Sequence, residues 1–145
     1  MAEQLFQIGI KGLIRNEAGQ ILMVHIPAWG HNPEHWDLPG GRMEPGETFL
    51  QTLARELQEE IGTSFSGVPR QFGGILTNIT IPVEDLLIPL VMIIYEVALP
   101  QGSTISLDAD SAEDAYEWVS PKEAAERMAV KFPQDFCQQI RALAS

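Results

Sequence analysis

The segment from Thr48 to Ile61 constrains the fold most. Leu50, Leu53, Ala54, Leu57 and Ile61 recur at the spacing of one helical face. Thr48 followed three positions later by Gln51 fits a capping box, and Gly62 stands where a helix ends in the left-handed conformation. The spacing therefore predicts a helix bounded at both ends. About 100 degrees around from its apolar stripe, Glu56, Glu59 and Glu60 stand at i, i+3 and i+4. Like charges so placed cost roughly 0.2–0.5 kcal/mol per pair in an isolated helix. Arg55, four before Glu59, can relieve that residue, whereas the outer neighbours Thr52, Leu53, Thr63 and Ser64 bring no cation to Glu56 or Glu60. Clustered oxygen donors without local cations suit a hard ion such as Mg²⁺ or Mn²⁺. The competing reading is an ordinary solvated acidic face.

The rest of the chain alternates strand and helix patterns. Leu5 to Ile14 and Gln20 to Ile26 read as two antiparallel strands joined by a turn at Asn16-Glu17-Ala18-Gly19. Pro27 to His35 is an irregular loop, and Trp36 to Pro39 is a short extended piece entering Gly40-Gly41. Beyond the helix, Gln71 to Ile81 and Ile88 to Leu99 are strand-like, the second continuous enough to be a doubly buried central strand. Shorter strands are expected at Thr104 to Leu107 and Ala115 to Val119. Ser120 and Pro121 open a helix over Lys122 to Met128, and Gln134 to Leu143 is a final amphipathic helix. The fold class is α/β (α+β), a mixed sheet flanked by helices, in a single domain over residues 1–145.

Charge narrows the function. Twenty Asp and Glu against nine Lys and Arg give a formal charge of −11, which opposes nucleic-acid binding through the protein's own cations. The one cysteine, Cys137, forms no internal disulfide and reads as a small buried hydrophobe. No basic region precedes an apolar stretch at the N-terminus. The longest apolar run, Leu86 to Tyr95, is broken by Pro89 and falls short of the ~20 residues that span a bilayer. The expected setting is cytoplasmic, with no membrane and no nucleic acid as partner.

The stretch Gly41 to Gly62, GRMEPGETFLQTLARELQEEIG, resembles the Nudix box: Gly, five residues, Glu, seven residues, then Arg-Glu-apolar-any-Glu-Glu-any-Gly-apolar. The matching positions are Gly41, Glu47, Arg55, Glu56, Leu57, Glu59, Glu60 and Gly62. At roughly 7% usage per residue type, a chance match of the seven fixed letters at one start is on the order of 10⁻⁸. Thr63 departs from the pattern, where the family has an aliphatic residue, and Trp36 to Gly41 looks like the family's lead-in. The resemblance implies an α/β/α sandwich and a hydrolase of nucleoside diphosphate derivatives. In it Glu56, Glu59, Glu60 and the Gly41 carbonyl hold Mg²⁺ (or Mn²⁺), one glutamate serves as general base, and Glu47 pairs with Arg55 to support the site.

The chemistry suits those residue types. A diphosphate repels nucleophiles until its charge is neutralised, and a carboxylate can take the proton of the attacking water. In some members of the family a further base or ligand lies outside the box. Glu117 in Ala115 to Val119 is the first candidate here, with Glu113 and Asp114 as rivals. Arg42 is a candidate phosphate contact, and Trp29, Trp36 and Phe6 are candidates to stack on a base or sugar, while Trp118 and Phe72 read as core. His31 and His35 flank a loop near the site without an assigned role. The expected partner is a small nucleotide-type substrate, and the resemblance admits a homodimer. The alternative is a catalytically silent domain that senses a nucleotide ligand, although such domains commonly lose box glutamates that this chain keeps. The family's subgroup markers, a downstream proline or tyrosine, are absent: Ile79-Thr80-Ile81 occupies that region, so the substrate stays open.

Overall fold

The computed structural model describes residues 3–108 and 112–144. Seven strands, β1 (Gln7–Ile14), β2 (Ile21–Ile26), β3 (His35–Asp37), β4 (Gly40–Arg42), β5 (Ser66–Val83), β6 (Leu86–Ala98) and β7 (Ala115–Val119), form two sheets. One is four-stranded in the order β4-β1-β6-β5 and is mixed because β1 runs parallel to β6; the other is three-stranded and antiparallel, β3-β2-β7. Helices α1 (Phe49–Ile61), α2 (Pro121–Met128) and α3 (Gln134–Arg141) cover them.

Period-two alternation sorts each strand between two cores. Ile10 and Ile14 of β1 join Leu22 and Val24 of β2 beneath Leu53, Leu57 and Ile61 of α1. Leu13, Ile21 and Met23 face the opposite way, into a cluster with Met128, Phe136 and Ile140 from the α2 and α3 side. This is an α/β/α sandwich. Leu53, Leu57 and Ile61 are wholly buried, each contributing roughly 1.5–3 kcal/mol of transfer free energy, so the amphipathic pattern fixes which face α1 buries. At its start Thr48 Oγ1 accepts from Gln51 N and Gln51 Oε1 accepts from Thr48 N; at its end Gly62 adopts φ 75°. Ser120 caps α2 by accepting from Glu123 N. Cys137 is free and buried. Among the described residues no helix is long and apolar enough to cross a membrane.

Three expectations are corrected. β1 and β2 turn at Asn16 to Gly19 as read, but they do not pair as a hairpin: apart from an isolated bridge between Arg15 and Ile21, each joins a different sheet. The reason is burial. β1 takes β4 on one side and β6 on the other, so β2 packs across from it as a layer. Thr104 to Leu107 is not a strand; Ser106 N instead donates to the Ile61 carbonyl beyond α1. β6 is central in its sheet, yet its burial alternates along the strand, so it is not buried on both faces.

Candidate active site

The site is built where β4 meets the exposed flank of α1. Gly40 has φ 134°, and a Cβ there would strike the Ile10 carbonyl across the β1–β4 pairing. A Cβ on Gly41 would collide with the Glu56 carboxylate. The two glycines are thus required for close approach, of backbone to backbone and of backbone to carboxylate. On the same edge Gly40 N donates to Glu60 Oε2 at 2.7 Å.

Arg55 binds the carboxylates together. Its Nε and Nη2 donate to the two Glu47 oxygens at 2.7 and 2.9 Å, its Nη1 reaches Glu56 Oε1 at 2.9 Å and Glu59 Oε2 at 3.3 Å, and Nη2 also donates to the Arg42 carbonyl. Glu47 accepts further from Glu44 N and Thr52 Oγ1. Arg55 first, then those donors, holds the Glu47 carboxyl down at about 2. The expectation that no cation compensates Glu56 and Glu60 is therefore corrected. Sequence spacing along the helix hides that Arg55 reaches its own neighbour Glu56, and that Lys11 on β1 exerts its field on both glutamates.

Burial pushes the Glu60 carboxyl up to about 9; Lys11 opposes this, and a hydrogen bond and like charge from Glu113 reinforce it. Burial likewise raises Glu56, against the pull of Arg55. Among the described residues no three Asp, Glu, His or Cys side chains converge as a ready-made metal cage. The donor set nevertheless fits a hard divalent cation. Glu56, Glu59, Glu60 and the Gly41 carbonyl offer only oxygen, Gly41 leaves room for the Glu56 carboxylate alone, and a buried glutamate facing a second carboxyl is the arrangement a cation relieves.

The carboxylates outside the helix are distributed differently from the expectation. Glu117 lies opposite Met23 in the β2–β7 register, on the α2 side of the sheet, and Arg127 Nη2 donates to it at 2.9 Å. That guanidinium also holds Glu123 and lies 4.4 Å over the Trp36 ring. Glu117 is thus engaged away from α1. Asp114 is 2.6 Å from His25 Nδ1. Of the three candidates it is Glu113, buried just ahead of β7, that meets Glu60.

Beside Gly41 and Arg42 opens a cleft of about 300 Å³. Its wall is apolar, from Ile79 and Ile81 of β5 and Leu90 and Met92 of β6, and half-exposed Trp29 stands at its rim. The loop bearing Trp29 is tied to β5 by His31 Nε2 to Thr80 Oγ1 at 3.0 Å and by Asn32 Nδ2 donating to the Thr80 carbonyl. Of the aromatic candidates Trp29 lines this cleft, while Trp36 packs against the core and Arg127, and Phe6 lies exposed elsewhere.

The closed end of the cleft is charged and buried. Lys11 Nζ lies 3.2 Å from Asp37 Oδ2 and donates to the Gly40 carbonyl at 2.9 Å, and Lys131 Nζ donates to the same Asp37 oxygen. Burial alone would raise Asp37, but Lys11 and Lys131 outweigh it and hold the carboxyl at about 2. Burial pushes Lys131 down to about 8 despite Asp37; Asp37 and Glu60 overcome burial at Lys11 and raise it. The sequence reading missed Lys11, Asp37 and Lys131, and gave His35 no role. A lone lysine inside the apolar run of β1 was the one available signal; Lys131 carries none.

A family model, NUDIX domain, matches residues 5–140. The 8-oxo-dGTP diphosphatase of Escherichia coli is 45% identical over 51 residues, which are 35% of this chain and 40% of that protein. The CTP pyrophosphohydrolase of the same organism is 38% identical over 55 residues, 38% of this chain and 41% of that one. The chain thus spans less than half the length of the curated relatives it matches. Among solved structures, the MutT protein from Methanosarcina mazei superposes with a TM-score of 0.71 at 25% identity, covering 97% of this chain and 96% of that one. The dihydroneopterin triphosphate pyrophosphohydrolase of E. coli shares the fold with a TM-score of 0.67 at 18% identity, over 94% and 97% of the two chains. With a box whose glutamates line one edge of β4 and a family match over nearly its whole length, this chain belongs to the Nudix family.

Proposed function

We propose that the protein is a Mg²⁺-dependent pyrophosphohydrolase that cleaves the phosphoanhydride of a nucleoside triphosphate or another nucleoside diphosphate derivative. One observation carries this reading: an oxygen-only donor set and an apolar cleft meet at Gly41, with Arg42 beside it. A nucleotide has the matching halves, an anionic diphosphate and a flat heterocycle. The relatives named for acting on 8-oxo-dGTP and CTP favour the same substrate class.

Glu56, Glu59, Glu60 and the Gly41 carbonyl would hold the cation, with Mn²⁺ as its substitute. When bound, Mg²⁺ neutralises the diphosphate and acidifies water. Arg55, fixed by Glu47, keeps Glu56 and Glu59 in place, and exposed Arg42 faces the polyphosphate. Glu113 replaces Glu117 as the carboxylate outside the box, because it meets Glu60 while Glu117 is spent on Arg127. Water attacks phosphorus, a carboxylate of the Glu60–Glu113 pair takes its proton, and the P–O anhydride bond breaks with its electron pair leaving on the departing phosphate oxygen. The reading includes a cytoplasmic location, which free, buried Cys137 favours.

The test is product analysis over a panel of nucleoside triphosphates, nucleotide sugars and dinucleoside polyphosphates with Mg²⁺, Mn²⁺ or chelator, in isotopically labelled water. The expected result is metal-dependent turnover with the label in a phosphate product. Tight nucleotide binding with no product under any divalent ion would replace the enzyme by a nucleotide sensor.

A further inference from the structure

The closed end of the cleft contains a polar atom that the proposed hydrolysis does not use. His35 is buried, 4% exposed, and lines the cleft, yet its Nε2 has no hydrogen-bond partner and stands 4.0 Å from Asp37 Oδ2, beyond bonding reach. Leaving such an atom unpaired forfeits its hydration with nothing in return, so a buried orphan calls for a partner. Its role is fixed by its other nitrogen. Nδ1 lies 3.0 Å from the Pro33 carbonyl, which can only accept, so Nδ1 carries the proton and neutral His35 presents Nε2 as a lone-pair acceptor. Burial, which lowers the His35 pKa, keeps the ring neutral.

Around that acceptor the cleft offers donors. Lys131 has three N–H groups, and among the described residues only Asp37 accepts from it. Lys11 has its own bonds to Gly40 and Asp37. Asp37 adds little acceptor capacity, since Oδ1 takes Leu38 N and Oδ2 takes both lysines. The closed end therefore combines one neutral acceptor with surplus ammonium donors, at the end of a cleft with apolar walls.

We propose that His35 and Lys131 read the edge of the substrate's heterocycle, accepting from a ring N–H and donating to the adjacent C=O, so that the enzyme selects bases with a lactam edge over bases with an amidine edge. The inference rests on the nucleotide reading above. A carbonyl oxygen has two lone pairs for the ammonium, while the ring N–H meets Nε2. An amidine edge would set an amino group, whose hydrogens are positive on both sides, beside two buried ammonium groups. Trp29 at the rim is placed to cover the ring face.

The experiment measures kcat/KM with Mg²⁺ for guanine, hypoxanthine and uracil nucleoside triphosphates against adenine and cytosine ones, together with Kd from titration calorimetry in chelator. Wild type should favour the lactam set by about tenfold or more, the range of a charge-assisted hydrogen bond. His35→Phe, which removes the acceptor, should bring the two sets within a few fold of each other. His35→Gln, which can return an acceptor to the same place, should keep the preference, and Lys131→Met should erode it if His35→Phe does not fold. A purely structural role for His35 would lower all substrates together and leave the ratio intact. An absent or reversed preference in wild type, or a ratio unchanged in His35→Phe, overturns the proposal. Turnover without preference defeats this inference alone. Preference in Kd without turnover defeats the hydrolase reading alone, and neither turnover nor binding defeats both.

Discussion

The α1 carboxylates and the floor of the cleft are both clusters of charge around β3 and β4, and they are organised in opposite ways. Along Gly41 to Glu60 five acids meet two arginines, and a single guanidinium, partly open to solvent, ties Glu47, Glu56 and Glu59 together. In the cleft, one carboxylate, fully buried, is clamped between two buried lysines. The first cluster keeps a local excess of oxygen that an external cation can complete. The second sets its one carboxylate against both lysines, because a buried charge without a partner is far more costly than one at the surface. The difference predicts that damage to the first removes chemistry and leaves the fold, whereas removing the carboxylate at the centre of the second destabilises the fold.

The largest effect is expected at Asp37. Asp37→Ala strands two buried ammonium groups and should destabilise the protein by about 3–5 kcal/mol, read as a lower urea midpoint. An unchanged midpoint would erase the contrast between the clusters. Next come Glu56→Ala, Glu59→Ala and Glu60→Ala. Each should lower Mg²⁺-dependent turnover about a hundredfold or more, equivalent to about 2.7 kcal/mol, with the thermal midpoint nearly preserved. Near-normal turnover in all three would sink the assignment.

A smaller effect follows from acid. Asp37 is held at about 2 when folded against 3.8 when free, so it binds protons more weakly in the native state. Its contribution, about 2 kcal/mol, is complete above the free value and is lost as the pH falls from about 4 through about 2. The acid limb of a denaturation series should flatten in that window in Asp37→Asn. Smallest is the contrast outside the helix. Glu113→Gln should slow turnover about tenfold or more, while Glu117→Gln should change it less than about twofold, since it removes only an exposed ion pair to Arg127. The opposite order would return the role to Glu117.

Much of this was legible beforehand for local reasons. The capping box at Thr48, the left-handed Gly62 and the Ser120-Pro121 start of α2 depend on a few neighbouring residues, and the structure has them where the sequence puts them. The β1–β2 hairpin failed because strand pairing is a competition among all strands. Nothing between Leu5 and Ile26 says that β4 and β6 will take both edges of β1. The carboxylates outside the box were hidden for a similar reason. The position of Glu117 next to Trp118 was visible, but that it stands opposite Met23 and meets Arg127, while Glu113 just ahead of β7 meets Glu60, follows only from how the layers pack.

By itself the sequence determined the helix, the acidic flank and the spacing that matches the Nudix box, because helical periodicity and glycine geometry act over a turn or two of chain. Only the tertiary structure decided which cations meet those acids, and that Lys11, His35, Asp37 and Lys131, drawn from three distant parts of the chain, close one cleft beside them. Burial makes the difference. Removing water turns residues with little local signature into strong electrostatic partners, and burial exists only once the layers have packed.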